Sequence, residues 1–542
     1  LLKLKNYKFI KIKKERKSEK MKTKTFFKIL AMGIVLMLLA MTFGTYSFAA
    51  ITGETTGTIK VSGLEAGVNV SIYRLTDVHI AGNGQPESTP YTWVSQISDW
   101  VNTNYSSYSS VEDFADAVTT DSTEAQKFYS DLAAAIKGGT EVTLAPADTE
   151  KSTGTASYPV TNTDEEVEFT GCAMGTYLII VENGYKVYAP AVVNLLPEFV
   201  GSEWTLNEAT KSVELKSETP TITKTITDEA KKVDNYSTKD TMTFTIVADV
   251  PNYLEDALAK NYYISDKFAN GTIDTDSITV SGMNGSTPTE LTAGTEYEIT
   301  TENAQRPTGT DKDVDFLLDF DYDQIKGYDQ IKVTYTAKLN KDASVTIGST
   351  GNENNAYLDY SNNPYVTGSY QTQESSDKVY TYAAEITKIK KGEPTTKLPG
   401  AEFNLSIGSD VQYFVRISDG VYYLANQGDS GATQTLVVDS QGKLTIRGLD
   451  AGTYSLKETK APDGYNLATE PISIVITDDD LNGILDDGET GIYTTNFENS
   501  QGFQLPVTGG MGTVVFVATG IVVAGLGITL LMVVFKKNRA AK

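Results

Sequence analysis

Most of the chain alternates apolar and polar residues in short runs that are separated by glycine, asparagine and aspartate turns. A period of two is typical of strands with one buried face, and the threonine, tyrosine and valine of these runs favour strands. In the first part of the chain such runs occur at 58–61, 68–73, 175–181 and 188–194. Between them, apolar residues from 111 to 136 recur at helical spacing. The pattern predicts antiparallel β-sandwiches, the first with one or two inserted helices.

Breaks in this pattern divide the chain into three blocks of similar character, residues 51–217, 218–376 and 377–501. The second block starts with Glu218-Thr219-Pro220, which is typical of a linker. Three domains also agree with the usual domain size for a chain of this length. We therefore predict an all-β protein of three tandem immunoglobulin-like β-sandwich domains, followed by a C-terminal transmembrane helix.

The N-terminal region has the three parts of a secretory signal peptide between residues 21 and 50. Lysines come first, residues 29–41 form an apolar core, and small residues stand at the cleavage position. The apolar core is too short for a stable transmembrane span. We expect export with cleavage after Ala49 or Ala50, and we exclude the mostly basic residues 1–20 from the interpretation of the fold.

The C-terminal region, residues 505–542, combines a pentapeptide, an apolar run and a basic tail. The run at 511–535 is uncharged and long enough to cross a bilayer as a helix, and the basic tail at 536–542 would stay in the cytoplasm. A membrane anchor alone does not require the pentapeptide that precedes it. The pentapeptide consists of Leu505, Pro506, Val507, Thr508 and Gly509.

Composition narrows the chemistry that the chain can perform. The formal net charge of −24 disfavours nucleic acid as a partner. A single histidine, His79, and a single cysteine, Cys172, exclude an internal disulfide, a Cys/His zinc cluster and a triad with a spare histidine. We interpret the acidic segment 478–488 as a turn that lacks the spacing of an EF-hand loop. We therefore expect no metal and no cofactor.

Three polar residues of the third block share strand faces with apolar residues. Strand alternation places Lys388, Glu458 and Asn499 on inward faces, whereas Asn496 lies on the opposite face. A lysine, an acid and an amide are costly to bury in one sandwich core unless they meet. We predict that these three side chains meet.

The second block has the same pattern with Lys224, Asp266 and Asn354. Asn352 and Asn355 belong to the same asparagine-rich segment and are alternatives to Asn354. In both blocks the alternative interpretation is that the lysine extends along the edge of the sandwich to reach solvent.

Such buried groups can react with one another. An apolar environment lowers the pKa of a lysine and raises that of an acid, so that both can be neutral. A neutral amine is a nucleophile, and a protonated acid can polarise the carboxamide and move protons. We predict Lys224–Asn354 and Lys388–Asn499 isopeptide bonds, formed with loss of ammonia, with Asp266 and Glu458 as the catalytic acids. By the chain-entropy model used for disulfides, each bond adds about 5 kcal/mol.

At these residues and at its C-terminal signal, the chain resembles the backbone pilins of Gram-positive sortase-assembled pili. Residues 454–465 are similar to the E-box segment of the collagen-adhesin B-type domain. The second block is similar to the isopeptide-forming fimbrial domain at its lysine, aspartate and asparagine. The resemblance implies that a sortase cleaves between Thr508 and Gly509 and passes the threonyl group to an amine.

The resemblance also implies an acceptor lysine on the last strand of the first domain, after a tryptophan. Trp204 and Lys216 match these positions, and strand alternation turns Lys216 outward. Lys211 is the alternative. The Tyr-Pro that precedes the acceptor lysine in the family is absent here.

The resemblance thus implies a structural shaft subunit of a covalent pilus on the cell wall, and not an enzyme with turnover. The implied partners are a sortase, other copies of the chain joined head to tail, minor pilins and peptidoglycan, with host surface ligands as further candidates. A monomeric wall-anchored adhesin that binds a host ligand is the alternative.

Overall fold

The computed structural model describes residues 51–120, 122–138, 142–143, 157–200, 202–206, 208–226, 231–253, 257–341, 343, 351–486, 490–502 and 511–539. The predicted signal peptide, residues 21–50, lies outside them. Strands dominate the described chain, and they form three successive groups of sheets, each around an apolar core. The prediction of an all-β fold is therefore confirmed.

The first block contains two larger sheets, three two-stranded pairs and a helical layer. Its strands are β1 (Thr56–Ser62), β2 (Asn69–Arg74), β3 (Thr76–Ile80), β4 (Pro86–Trp93), β5 (Ser157–Pro159), β6 (Val167–Ala173), β7 (Gly175–Glu182), β8 (Val187–Tyr188), β9 (Ala191–Leu195), β10 (Glu198–Val200), β11 (Glu203–Thr205), β12 (Thr210–Glu214) and β13 (Ser217–Glu218). The sheets β12-β1-β6 and β5-β2-β7-β9 enclose an apolar core that includes Ile59, Val70 and Phe169. The two-stranded pairs are β3-β4, β10-β11 and β13-β8.

The helices of the first block are α1 (Ser95–Asn104), α2 (Val111–Thr120) and α3 (Ser122–Gly138), with a 3₁₀ turn at Ser106–Tyr108. Helices α2 and α3 fall in the predicted region. Helix α1 precedes that region and buries Ile97, Trp100 and Val101. The strand predicted at 188–194 is divided into β8 and β9, since Pro190 between them has no N–H to donate.

The second block is a sandwich of a five-stranded and a six-stranded sheet. Its strands are β14 (Ile222–Ile226), β15 (Val233–Asn235), β16 (Met242–Asp249), β17 (Tyr262–Phe268), β18 (Gly271–Asn284), β19 (Thr287–Glu290), β20 (Tyr297–Thr300), β21 (Phe316–Phe320), β22 (Gln330–Leu339), β23 (Asn352–Tyr360) and β24 (Gln371–Tyr380), with the short helix α4 (Tyr322–Ile325). The strand orders are β14-β16-β22-β18-β19 and β15-β24-β23-β17-β21-β20. Strand β24 continues to Tyr380, past the predicted boundary at 376.

The third block is a second sandwich. Its strands are β25 (Tyr382–Lys390), β26 (Glu393–Lys397), β27 (Glu402–Ile407), β28 (Asp410–Val411), β29 (Tyr413–Ser418), β30 (Val421–Ala425), β31 (Leu436–Val437), β32 (Lys443–Leu449), β33 (Gly452–Lys460), β34 (Ile472–Ile476) and β35 (Ile492–Asn499). One sheet has the order β26-β25-β32-β30-β29, and β35 also pairs with β25. The facing sheet is β28-β27-β33-β34, with β31 on β27.

Polar contacts join each block to the next. The Asn362 amide of the second block donates to the Gly184 carbonyl of the first block at 2.9 Å, and Tyr365 packs into the aromatic core around the helices. Between the second and third blocks, the Thr238 hydroxyl donates to the Leu424 carbonyl at 2.5 Å. Loops and strand ends make these contacts, and Val187 of the first block also packs into the apolar core of the second.

The C-terminal helix α5 spans Met511–Arg539. Its segment Val517–Lys536 is long and apolar enough to cross a membrane, and the side chains of this segment are not buried against the rest of the protein. This agrees with the predicted anchor.

Candidate isopeptide sites

Lys224 lies in the core of the second block, on β14, and its side chain is fully buried. Its Nζ donates to the Asp266 carboxylate and, at 2.7 Å, to the Tyr335 hydroxyl. The Phe244 ring centroid lies 5.0 Å from Nζ. The lysine therefore points into the sandwich, and it does not extend to solvent.

Asp266 and Asn354 approach the same point from the neighbouring strands β17 and β23 of the facing sheet, and both are fully buried. The Asn354 Nδ2 donates to the Tyr335 hydroxyl at 3.0 Å. Asp266 Oδ1 and Asn354 Oδ1 have no hydrogen-bond partner among the described residues. Unpaired buried oxygens are costly, so this is an unusual arrangement for a purely structural core.

Burial shifts the two ionisable groups of this site towards neutrality. It lowers the pKa of Lys224 to about 8, although the Asp266 charge opposes the shift. It raises the pKa of Asp266 to about 6, against the effect of Lys224. Because the two pKa values approach each other, moving a proton from the amine to the carboxylate costs far less than in water. The site can therefore supply a neutral amine beside a protonated acid.

The two alternative asparagines contact other groups. Asn352 is buried, but its amide donates to the Val379 carbonyl at 3.0 Å. The Asn355 side chain accepts from the Ser376 hydroxyl at 2.6 Å on the other face of the strand. Of the three asparagines, Asn354 is the one that shares a partner with Lys224, so the geometry favours it.

The third block places Lys388 in a similar environment. Its fully buried Nζ lies 3.4 Å from Glu458 Oε1 and 4.7 Å from the centroid of the Phe497 ring. It also donates to the Phe497 carbonyl at 3.3 Å. Burial lowers the pKa of Lys388, and the Glu458 charge opposes the shift.

Glu458 contacts both ends of the predicted bond. Its Oε2 accepts from Asn499 Nδ2 at 2.7 Å and from the Ala468 N–H at 2.8 Å. The Asn499 amide also donates to the Asn466 carbonyl at 2.5 Å, which leaves Asn499 Oδ1 without a partner among the described residues. The amide is thus held by its nitrogen, and its carbonyl oxygen accepts no hydrogen bond from the part of the chain that the structure describes.

Sequence reasoning missed two residues of the second-block site. Tyr335 alternates with Val333 and Ala337 on the inward face of β22, and this period marks it as buried without revealing its polar contacts. Asp377 is fully buried opposite Asn354 in the register of β23 and β24. Its Oδ1 lies 3.3 Å from a lysine of the adjoining loop, and burial raises its pKa.

The predicted acceptor lysines lie near the end of the first block. Lys216 is half-buried between β12 and β13, next to the buried Leu215, and burial lowers its pKa. Its backbone carbonyl accepts from the Ala189 N–H at 3.3 Å. Lys211 pairs with Glu208, and 15% of its side chain is exposed. The pentapeptide at 505–509 lies outside the described residues.

The interpretation of the acidic segment is wrong in one respect. Its residues match the twelve-residue EF-hand calcium pattern D-x-[DN]-x-[DN]-G-x₅-E, so the spacing is present. In the structure, carboxylate oxygens of Asp478, Asp480 and Asp486 lie within 4.8 Å of one another. The position-twelve residue lies outside the described residues. The matching residues are Asp478, Asp480, Asn482, Gly483, Asp486 and Glu489.

The fold and the site geometry define a class of multidomain all-β protein with buried lysine–acid–asparagine sites. Residues 384–489, which include Lys388 and Glu458, match the SpaA family model, a prealbumin-like fold domain. Over 455 residues the chain is 24% identical to the trypsin-resistant surface T6 protein of Streptococcus pyogenes serotype M6. The alignment covers 80% of this chain and 74% of that protein.

Among solved structures, the chain is similar to the T6 backbone pilin of serotype M6 Streptococcus pyogenes, with a TM-score of 0.56 and 17% identity. The alignment covers 83% of this chain and all of that one, which is described as a modular three-domain protein with variable loops and extensions. The chain therefore shares the fold of a three-domain backbone pilin, and the resemblance to Gram-positive backbone pilins is confirmed.

Proposed function

We propose that this chain is the shaft subunit of a covalently polymerised pilus on a Gram-positive cell wall. The observation that carries the proposal is the pair of buried lysine–acid–asparagine sites in consecutive sandwiches. Each site connects a strand at the start of its block, β14 or β25, with a strand near its end, β23 or β35. A bond at each site carries pulling force through covalent linkages instead of through the hydrogen-bonded ladders between strands.

The same reaction serves both sites. The neutral lysine Nζ attacks the asparagine Cγ, the Nζ–Cγ bond forms and the Cγ–Nδ2 bond breaks. One amine proton is transferred to Nδ2, which leaves as ammonia. In the third block, Glu458 holds and returns this proton, and in the second block Asp266 takes the proton whose loss leaves the Lys224 amine neutral. The reaction occurs once per molecule and needs no cofactor, so the chain is a structural protein without turnover.

Assembly uses the two ends of the exported chain. Helix α5 holds the precursor in the membrane while a sortase breaks the Thr508–Gly509 peptide bond. The threonyl carbonyl then passes to the Nζ of Lys216 in another copy, or to peptidoglycan at the base of the pilus. Minor pilins join through the same chemistry, and exposed surfaces of the shaft are available to host ligands.

The test is an immunoblot of cell-wall extracts boiled in SDS, which compares the unaltered chain with Lys216→Ala and Lys211→Ala. We expect a ladder of high-mass species that collapses with Lys216→Ala. Lys443→Ala is the matched control, since 58% of that lysine's side chain is exposed in the third block, away from the acceptor position. It should leave the ladder intact.

Each remaining outcome has a separate meaning. A ladder that survives Lys216→Ala and is lost with Lys211→Ala keeps the shaft subunit and moves the acceptor. A single wall-linked band from every variant, the unaltered chain included, contradicts the shaft and favours the monomeric adhesin. Thr508→Ala should abolish both the ladder and the wall linkage.

A further inference from the structure

Both nitrogens of the second-block site donate to the same oxygen, the Tyr335 hydroxyl. Lys224 Nζ lies at 2.7 Å and Asn354 Nδ2 at 3.0 Å from it. These two donors occupy both acceptor positions of the hydroxyl. Its own hydrogen is therefore directed elsewhere. Burial, and after it the charge of the nearby Asp266, raises the pKa of Tyr335. The hydroxyl thus contacts the nucleophile and the leaving group, with the acid close by.

Packing of the aromatic ring holds the hydroxyl in this position. Tyr335 is fully buried on β22, and its ring stacks on Phe244 at a centroid distance of 5.5 Å. The edge-to-face contact with Phe316 is 5.4 Å between centroids. Removing the hydroxyl alone leaves both ring contacts in place, so the polar role of Tyr335 can be tested separately from its packing.

We propose that Tyr335 is a catalytic residue of the second-block bond that relays a proton from Lys224 Nζ to Asn354 Nδ2. This inference rests on the isopeptide reaction of the proposed function. When the Nζ–Cγ bond forms, Nδ2 loses its conjugation with the carbonyl and becomes basic. The phenol hydrogen then passes to Nδ2 while the phenol oxygen takes a proton from Nζ. The Cγ–Nδ2 bond breaks, ammonia leaves, and Tyr335 ends with the proton count with which it began.

The third block explains why the second needs such a relay. There, Glu458 lies 3.4 Å from the lysine Nζ and 2.7 Å from the amide Nδ2, so one carboxylate connects the two nitrogens. In the second block, the Asp266 carboxylate accepts a hydrogen bond from Lys224, and among the described residues it has none with Asn354, whose amide donates to Tyr335. The shorter acid leaves a gap between the nitrogens, and the Tyr335 hydroxyl occupies it.

The test compares Tyr335→Phe with Tyr262→Phe by intact-mass spectrometry and peptide mapping of the full exported chain. Tyr262 is a suitable control because it is fully buried in the same core and its hydroxyl has no hydrogen-bond partner among the described residues. We expect formation of the Lys224–Asn354 bond to slow by about 10²–10⁴-fold in Tyr335→Phe, the usual range for loss of a proton-transfer group. Tyr262→Phe should form the bond at the unaltered rate, and both variants should form the Lys388–Asn499 bond.

A second variant keeps the test decisive if Tyr335→Phe folds poorly. Fluorotyrosine at position 335 retains the ring and the hydroxyl, and it should restore the bond. A bond that forms in Tyr335→Phe as fast as in the unaltered chain overturns the relay, and so does a fluorotyrosine chain that stays as unlinked as Tyr335→Phe. If the unaltered chain keeps the Asn354 amide nitrogen, so that its mass shows no loss of ammonia from the second block, the proposed reaction does not occur at this site. That result is distinct from failure of the relay alone.

Discussion

The two candidate sites use the same three kinds of residue in different frameworks. In the second block, Lys224 lies on β14 of one sheet and Asn354 on β23 of the other, so a bond between them crosses the core. In the third block, Lys388 and Asn499 lie on β25 and β35, parallel neighbours of one sheet. A bond in the second block therefore ties two sheets together, whereas one in the third reinforces a strand pair.

The frameworks also differ in how the acid reaches the reacting atoms. Glu458 comes from the facing sheet and contacts both nitrogens of its site. Asp266 is one methylene shorter and lies on the strand next to that of Asn354, and it accepts a hydrogen bond from Lys224 Nζ. In the proposed reaction a proton passes from the lysine nitrogen to the amide nitrogen, and the group that contacts both nitrogens is a carboxylate in the third block and a hydroxyl in the second.

The largest effect should come from removing one bond. In Asn499→Ala the third block loses its covalent closure, and its free energy of unfolding should fall by about 5 kcal/mol in the chain-entropy model. Thermal unfolding measures the loss, and the intact mass should show a deficit of one ammonia instead of two. Asn496→Ala, on the exposed face of the same strand, is the control and should behave like the unaltered chain. A two-ammonia deficit in Asn499→Ala would rule out this bond.

Removing the acid should slow bond formation to a different extent at the two sites. Glu458→Gln deletes the group that contacts both nitrogens, so formation of the third-block bond should slow towards the upper end of about 10²–10⁴-fold. Asp266→Asn leaves the Tyr335 hydroxyl between the nitrogens, so its effect should lie near the lower end of that range. Time-resolved intact mass after expression gives both rates. Equal slowing at the two sites would contradict the inference that Glu458 serves both nitrogens of its site whereas Asp266 serves only the lysine.

The stability of the unlinked second block should depend on pH in a specific way. Asn354→Ala retains Lys224 and Asp266, whose pKa values burial moves to about 8 and about 6. Above about pH 8 the unfolded lysine binds more protons than the folded one, so stability rises with pH until the ordinary lysine pKa. Below about pH 6 the folded aspartate binds more protons than the unfolded one, so stability rises as the pH falls. These two groups therefore place a minimum between about pH 6 and 8.

Urea unfolding across this pH range measures the minimum. The reference is Asn354→Ala combined with Lys224→Met and Asp266→Asn, which removes the pair and retains the other titrating groups. Relative to this reference, the free energy of unfolding of Asn354→Ala should be lowest near neutral pH. A difference that does not change with pH would show that the pair is not buried as described.

The smallest effects should come from the neighbouring asparagines. Asn352→Ala removes a buried amide that donates to the Val379 carbonyl, which should cost about 1–2 kcal/mol while the second-block bond still forms. Asn355→Ala should alter the unfolding midpoint little and leave the bond intact. Peptide mapping of the cross-linked fragment decides between the three positions. Loss of the cross-link in either variant would assign it to the substituted asparagine instead of Asn354.

Much of the fold could be predicted because strand alternation is local. A period of two indicated the sandwiches and predicted that Lys224, Lys388 and Glu458 face inward, and all three are buried in the structure. The helical spacing in the first block indicated α2 and α3. Helix α1 was missed because its apolar residues occupy few positions in a short segment. The boundary near 376 falls inside β24, whose last residues pair with Val233–Asn235 of β15, far earlier in the chain.

The sequence by itself determined the fold class and the inward direction of the buried lysines and acids, since each depends on residues within a few positions of one another, and the terminal signals stay predictions. Only the tertiary structure decided which of these groups share a point in space. It placed the Tyr335 hydroxyl between Lys224 and Asn354, and it left Lys216 half-buried beside Leu215. The physical reason is that sheet pairing and sheet packing join strands more than a hundred residues apart, and no local pattern specifies the atoms that meet there.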